Sequence, residues 1–206
     1  MSEIEREYKW LVDREQFEQL LAGFESQTSK KKRYIQINYY YDTPDFALCC
    51  AGDTLRVRQK ENGLTAEYKT DKRMEGGLRF CREYSADVAN LPQEIVLREL
   101  FPEFAGNEDE AYGYIGNLVT ERFGYVFDAG TISCDKNWYL GRMDYEIEFE
   151  IATEATEPMA ELPVKIQARL LALPPSGINP GKYTRFIKAW GNVQKGEKSV
   201  QNKKGT

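Results

Sequence analysis

Residues 3–9 read Glu3-Ile4-Glu5-Arg6-Glu7-Tyr8-Lys9, with a charged residue at every second position. In an extended strand successive side chains point to opposite faces, so Glu3, Glu5, Glu7 and Lys9 share one face. Same-face neighbours lie only about 6.6 Å apart, and three carboxylates at that spacing repel unless positive charge sits between them. A second stripe lies far along the chain. Asp144-Tyr145-Glu146-Ile147-Glu148-Phe149-Glu150 sets Asp144, Glu146, Glu148 and Glu150 on one face and Tyr145, Ile147, Phe149 and Ile151 on the other. Two acidic strands so distant in sequence point to a shared cation site, suited to a divalent metal.

The other residue types narrow the chemistry. No histidine occurs among the 206 residues, which removes serine–histidine triads, a histidine base and the usual His-containing zinc sites. Cys49, Cys50, Cys81 and Cys134 show no CxxC spacing. With no signal-peptide pattern and no long apolar run, they read as thiols of a reducing cytoplasm, and no membrane association is expected. Any metal should then be a hard cation held by oxygens, Mg²⁺ or Mn²⁺. The formal charge of −5 argues against general nucleic-acid binding, although 28 Lys and Arg allow a local basic patch.

Hydrophobic periodicity divides the chain into short elements. A strand over about 2–12 meets Asp13, which with Gln16 makes a capping box for a helix carrying Phe17, Leu20, Leu21 and Phe24. Strands follow at 34–41, at 54–60 with Arg56, Arg58 and Lys60 on one face, and at 64–69 beyond the Asn62-Gly63 turn. A short helix runs through Cys50, and a fifth strand spans 78–86. Residues 92–118 read as two helical pieces. Strands at 119–127, 130–139 and 143–152 precede helices at 157–172 and 180–190, separated by Pro174-Pro175-Ser176-Gly177. The reading is one domain over 1–190, with a disordered polar tail at 191–206.

The fold class expected is α+β: an eight-stranded antiparallel barrel with helices packed outside. Nearly every strand offers one charged and one apolar face, and the amphipathic helices need an apolar surface to cover. A barrel with an apolar exterior and a charged lumen satisfies both. Its lumen would hold carboxylates for metal and Lys/Arg for a polyanion.

Glu5-Arg6-Glu7-Tyr8-Lys9 resembles the ExExK motif of the CYTH family, the triphosphate tunnel metalloenzymes. The resemblance continues in order through Tyr40-Tyr41-Asp42-Thr43-Pro44-Asp45, Leu55-Arg56-Val57-Arg58, Glu67-Tyr68-Lys69, Arg122, Asp135, Tyr145-Glu146-Ile147-Glu148 and Gly181-Lys182-Tyr183. It covers roughly residues 1–190 and is nearest to the small bacterial single-domain members. Glu3 allows Glu3/Glu5 as the acidic pair, while Lys9 favours Glu5/Glu7. Between Arg82 and Glu83 the inward residue is left open.

The resemblance implies a tunnel for a triphosphate-containing small molecule and a divalent metal. Glu5, Glu7, Glu146 and Glu148 become the metal candidates, with Glu5, Glu7 and Glu148 catalytic. Lys9, Arg56, Arg58, Lys69, Arg122 and Lys182 become the phosphate candidates. Glu67 and Asp135 are expected to orient Lys69 and neighbouring cations, and Arg82, Lys136 and Arg185 are supporting, second-tier phosphate candidates. The implied activity is metal-dependent hydrolysis of inorganic, nucleoside or thiamine triphosphate. A class IV-type adenylate cyclase and a non-catalytic polyphosphate- or nucleotide-binding module are the alternatives.

Overall fold

The computed structural model describes residues 2–104, 110–174 and 179–192. The strands are β1 (Ser2–Val12), β2 (Lys31–Asp42), β3 (Thr54–Lys60), β4 (Gly63–Glu75), β5 (Leu78–Val88), β6 (Glu94–Val96), β7 (Ala111–Phe127), β8 (Gly130–Tyr139) and β9 (Arg142–Ile151). The helices are α1 (Arg14–Glu25), α2 (Ala47–Ala51), α3 (Leu97–Leu100), α4 (Val164–Leu171) and α5 over 182–192. The sheet runs β2-β3-β4-β5-β1-β9-β8-β7, and pairing of β2 with β7 closes it into an eight-stranded antiparallel barrel. Closure leaves no free edge along those eight strands. Strand β6 adds only to the start of β7, through Glu94–Gly113 and Val96–Ala111.

Alternation decides what each face carries. Outward residues of β1, β7, β8 and β9 (Trp10, Tyr125, Ile132, Cys134, Ile147, Phe149) pack against Phe17, Leu20 and Phe24 of α1 and Ile166 and Leu170 of α4. The Asp13 carboxylate accepts from the Gln16 N–H at 2.8 Å, and the Gln16 side chain accepts from the Asp13 N–H at 3.0 Å. Such a cap is worth about 1 kcal/mol and fixes where α1 begins. Outward Leu55, Val57, Ala66, Tyr68 and Tyr84 meet Leu97 and Phe101 around α3. A third cluster lies at one end of the lumen, where Tyr183, Phe186 and Ala189 of α5 meet Tyr40, Leu118 and Tyr139. Gly116 makes that contact possible: a Cβ there would stand 2.5 Å from the Phe186 ring.

Three elements depart from the sequence expectation. The two helical pieces at 92–118 are instead β6, the four-residue α3 and the first half of β7, which starts at Ala111. Gly113 and Gly116 lower helical propensity there, and the bulge on β7 opposite Tyr40 and Tyr41 breaks the alternation that would have marked a strand. The helix expected over 157–172 is confined to Val164–Leu171 because Pro163 stands at its N-cap position. Strand β4 continues to Glu75, six residues past the expected end. Residues 105–109 within the expected helical pieces, residues 175–178 and the tail beyond 192 lie outside the described residues.

Candidate triphosphate tunnel

The inner faces of the barrel line a cavity of about 780 Å³. Glu5, Glu7 and Lys9 reach it from β1, Arg56 and Arg58 from β3, Lys69 from β4, and Cys81 and Glu83 from β5. Arg122 enters from β7, Glu148 and Glu150 from β9, and Lys182 from α5. Two walls of opposite character result.

The acidic wall is built by β1, β8 and β9. Oxygens of Asp135, Glu146 and Glu148 lie within 4.8 Å of one another, all three buried. The Lys182 ammonium stands among them, 2.9 Å from Asp135 and 2.9 Å from Glu148, and also bonded to Glu146. Lys9 reaches Glu148 at 2.7 Å and Glu7 at 3.1 Å. Arg122 forks onto Asp135 at 2.8 and 2.6 Å and donates to Glu148 at 2.5 Å. Although burial opposes the charge, Lys182, Lys9 and Arg122 hold the Glu148 carboxyl well below the usual range. Glu7 goes the other way. Burial raises its pKa, Lys9 only partly compensates, and Glu148 and Glu5 add repulsion.

The basic wall is built by β2, β3 and β7. Glu67 accepts from Arg56 at 2.7 and 2.5 Å and pairs with Arg58 at 3.0 Å. Despite burial these guanidiniums keep Glu67 ionised far below its ordinary value. Arg58 is pulled down by burial and by Arg56 and Arg122. Between the walls, Lys69 binds Glu5 and lies 2.7 Å from Glu83. Burial would raise the Glu5 pKa, but Lys69 and the Cys81 thiol, 3.0 Å away, lower it to about 2.

Most residues singled out in the sequence gather in this lumen; Arg82 and Lys136 do not. Arg82 points outward, its Nε 3.2 Å from Asp71, and Glu83 takes the inward position. Lys136 also lies outside the barrel, over the rings of Phe17 and Phe123 at 5.7 and 5.5 Å. Glu67 orients Arg56 and Arg58 instead of Lys69, a role that falls to Glu83. Asp135 belongs to the carboxylate trio and also holds Arg122. Arg185 enters the lumen end from α5, 2.8 Å from Asp144 and 2.7 Å from Glu146. Glu3 shares the inner face but is exposed at the mouth. Cys81 and Glu83 carry no motif of their own; their signal is register, since Glu83 lies directly opposite Lys69.

The CYTH domain family matches residues 3–176. The chain belongs to the CYTH domain family. Within it, a Bacillus subtilis protein named "Putative triphosphatase YjbK" is 30% identical over 155 residues, covering 73% of this chain and 78% of that one. Among solved structures, a Bacillus halodurans protein described as a "putative adenylate cyclase" shares 26% identity at a TM-score of 0.64, covering 90% of this chain and 98% of its own. The Hippeastrum protein HpAC1, described as having a dominant triphosphatase activity, superposes with a TM-score of 0.67 at 18% identity, over 89% and 95% of the two chains. This CYTH match ends before Lys182 and Arg185, which complete the carboxylate wall from α5. Among the described residues no helix is long and apolar enough to cross a membrane.

Proposed function

We propose that this CYTH protein is a divalent-metal-dependent triphosphatase that hydrolyses the terminal phosphoanhydride of a triphosphate: inorganic, nucleoside or thiamine. The observation that carries the reading is the exchange of partners available in the lumen. Lys9, Arg122 and Lys182 converge on the Glu148 carboxylate, so a polyphosphate that took those cations would leave the carboxylates free for metal. The donor set fits a hard cation, being carboxylate oxygens closely spaced in a histidine-free chain. Glu146 and Glu148 of that buried trio, with Glu5 and Glu7 from the neighbouring strand β1, would hold Mg²⁺ or Mn²⁺, and the metal would neutralise charge on phosphate oxygens.

The chain's own residues supply the rest. Arg56, Arg58 and Arg122 offer forked donors and Lys9, Lys69 and Lys182 compact charges to a chain carrying about four negative charges. Glu67 and Glu83 keep Arg56, Arg58 and Lys69 aimed inward. With no histidine in the chain, a lumen carboxylate must take the proton from the attacking water. The four free cysteines suit a reducing, cytoplasmic setting.

Incubation with tripolyphosphate, ATP and thiamine triphosphate under Mg²⁺ or Mn²⁺, with separation of products, tests the reading. Orthophosphate should appear with the metal and vanish with chelator. Full turnover in excess EDTA would sink the metal assignment. The likeness to a protein described as a cyclase makes one further outcome specific: cyclic AMP and pyrophosphate from ATP would replace hydrolysis by cyclisation. Tight binding without turnover under every metal would leave a binding module.

A further inference from the structure

One mouth of the tunnel carries a cationic strip that the triphosphate reading does not use. The inward residues of β2 there are Lys32, Tyr34 and Gln36. Across the pairing with β7, Tyr34 stands opposite Arg122 and Lys32 opposite Gly124. Lys60, at the end of β3, holds its ammonium 6.0 Å from the centre of the Tyr34 ring. Lys32, Tyr34, Lys60, Arg122 and Gly124 all line the cavity.

Five features mark this strip as more than solvated surface. Lys9, Arg56, Arg58, Lys69, Arg122 and Lys182 each have a carboxylate partner within 4 Å, whereas no carboxylate among the described residues lies within 4 Å of the Lys32 or Lys60 ammonium. The lysines continue the line of Arg58 and Arg122 outward, so they extend an existing track. Burial and the charges of Arg58, Arg122 and Arg56 lower the Lys60 pKa, with Glu67 only partly offsetting them. Gly124 presents no side chain and leaves the wall beside Lys32 open. Gln36, the next inward residue after Tyr34, is buried with neither end of its amide engaged, and an unpaired buried amide is costly. Glu3 and Glu150 stand on the acidic wall, so the strip favours a chain running along β2, β3 and β7.

We propose that Lys32, Lys60 and Tyr34 form an outer subsite for the fourth and later phosphates of a linear polyphosphate. The preferred substrates are then phosphate chains longer than three. This rests on the reading that the lumen takes the first three phosphates. A shorter chain leaves the two lysines unmatched, while a longer one meets both with charge-assisted contacts.

The test is steady-state kinetics of the full chain with tripolyphosphate and linear tetraphosphate, for wild type, Lys32→Met, Lys60→Met and the double variant. Wild type should show a KM for tetraphosphate at least about fivefold below that for tripolyphosphate, and the double variant should lose about tenfold on tetraphosphate alone. Its tripolyphosphate KM should stay within about twofold of wild type, a split that separates local contact from general electrostatics. Equal affinity of wild type for the two chains overturns the subsite, and so does an equal loss on both in the variants. A Tyr34→Leu variant that loses ATP affinity while keeping tetraphosphate would overturn it in favour of base stacking. Tripolyphosphate that is neither bound nor hydrolysed retires the triphosphatase reading as well. Sound tripolyphosphate turnover without a tetraphosphate preference retires this subsite only.

Discussion

The two walls of the tunnel face each other with opposite faults. On the acidic wall, Glu7 and Glu150 have pKa values raised by burial together with neighbouring carboxylates. On the basic wall, Arg58 and Lys60 have values lowered by burial together with neighbouring cations. Simple neutralisation would have spread the charges evenly. Instead surplus acid is kept on one side and surplus base on the other, and a ligand that brings both a cation and a polyanion relieves both at once. The paired residues at the centre, Glu148 with its three cations and Glu67 with its two arginines, hold the walls apart.

The largest effect should come from the centre of the acidic wall. Glu148→Gln should lower kcat by about a thousandfold, measured as phosphate release from tripolyphosphate, because a buried charge at the reacting end is removed. Near-normal turnover would move the chemistry elsewhere. The next tests contrast paired with surplus acid. Glu67→Gln strips Arg56 and Arg58 of their shared partner and should cost about 3 kcal/mol in urea unfolding. Glu7→Gln should raise stability at neutral pH, since it removes a carboxylate the fold disfavours. If both variants lose stability equally, the walls do not differ as described.

The basic wall is probed by affinity. Arg56→Ala, Arg58→Ala and Lys69→Ala should each weaken tripolyphosphate binding by about ten- to a hundredfold in calorimetry, with monophosphate affected much less. Uniform affinity within twofold would mean that the ligand does not follow this wall.

Between the walls, the Glu5–Lys69 contact gives a pH signature. A carboxyl whose folded pKa is about 2, against an ordinary 4.5, adds stability that is complete above 4.5 and lost as pH falls toward 2. At pH 3 the loss should be on the order of 2 kcal/mol, and Lys69→Met should flatten this acid limb. A limb unchanged by that substitution would break the assignment. Smallest of all, Arg82→Ala should leave triphosphate affinity within about twofold, because its contact with Asp71 is an exposed outward pair.

The difference between Arg82 and Glu83 also shows where sequence pattern stops. The charged stripes at 3–9, 54–60 and 144–150 keep strict alternation, so barrel, lumen and most lumen residues were legible. Counting outward from the Gly76-Gly77 turn pairs Glu75 with Leu78 and Arg73 with Phe80, and would carry Arg82 to the inner face. The irregularity between Thr70 and Arg73, with Asp71 at φ 51°, shifts the register by one residue. Lys69 then meets Glu83. Nothing in the residue types at 70–73 announces that slip. Lys136 misled differently: it neighbours inward Asp135, and its aliphatic stem and charge are satisfied by two aromatic rings and Glu121 outside the barrel. Residues 92–118 were obscured by glycines and a second bulge.

The last barrel strand ends at Ile151, yet the ammonium that balances Asp135, Glu146 and Glu148 arrives only with residue 182. During synthesis the ribosome therefore finishes every strand well before it delivers the counter-charge to the acidic wall. Until α5 docks, those three buried acids lack Lys182, and Asp144 and Glu146 lack Arg185. The closing of the barrel and the completion of its charge are thus separate events in time, set by the order in which the chain is made.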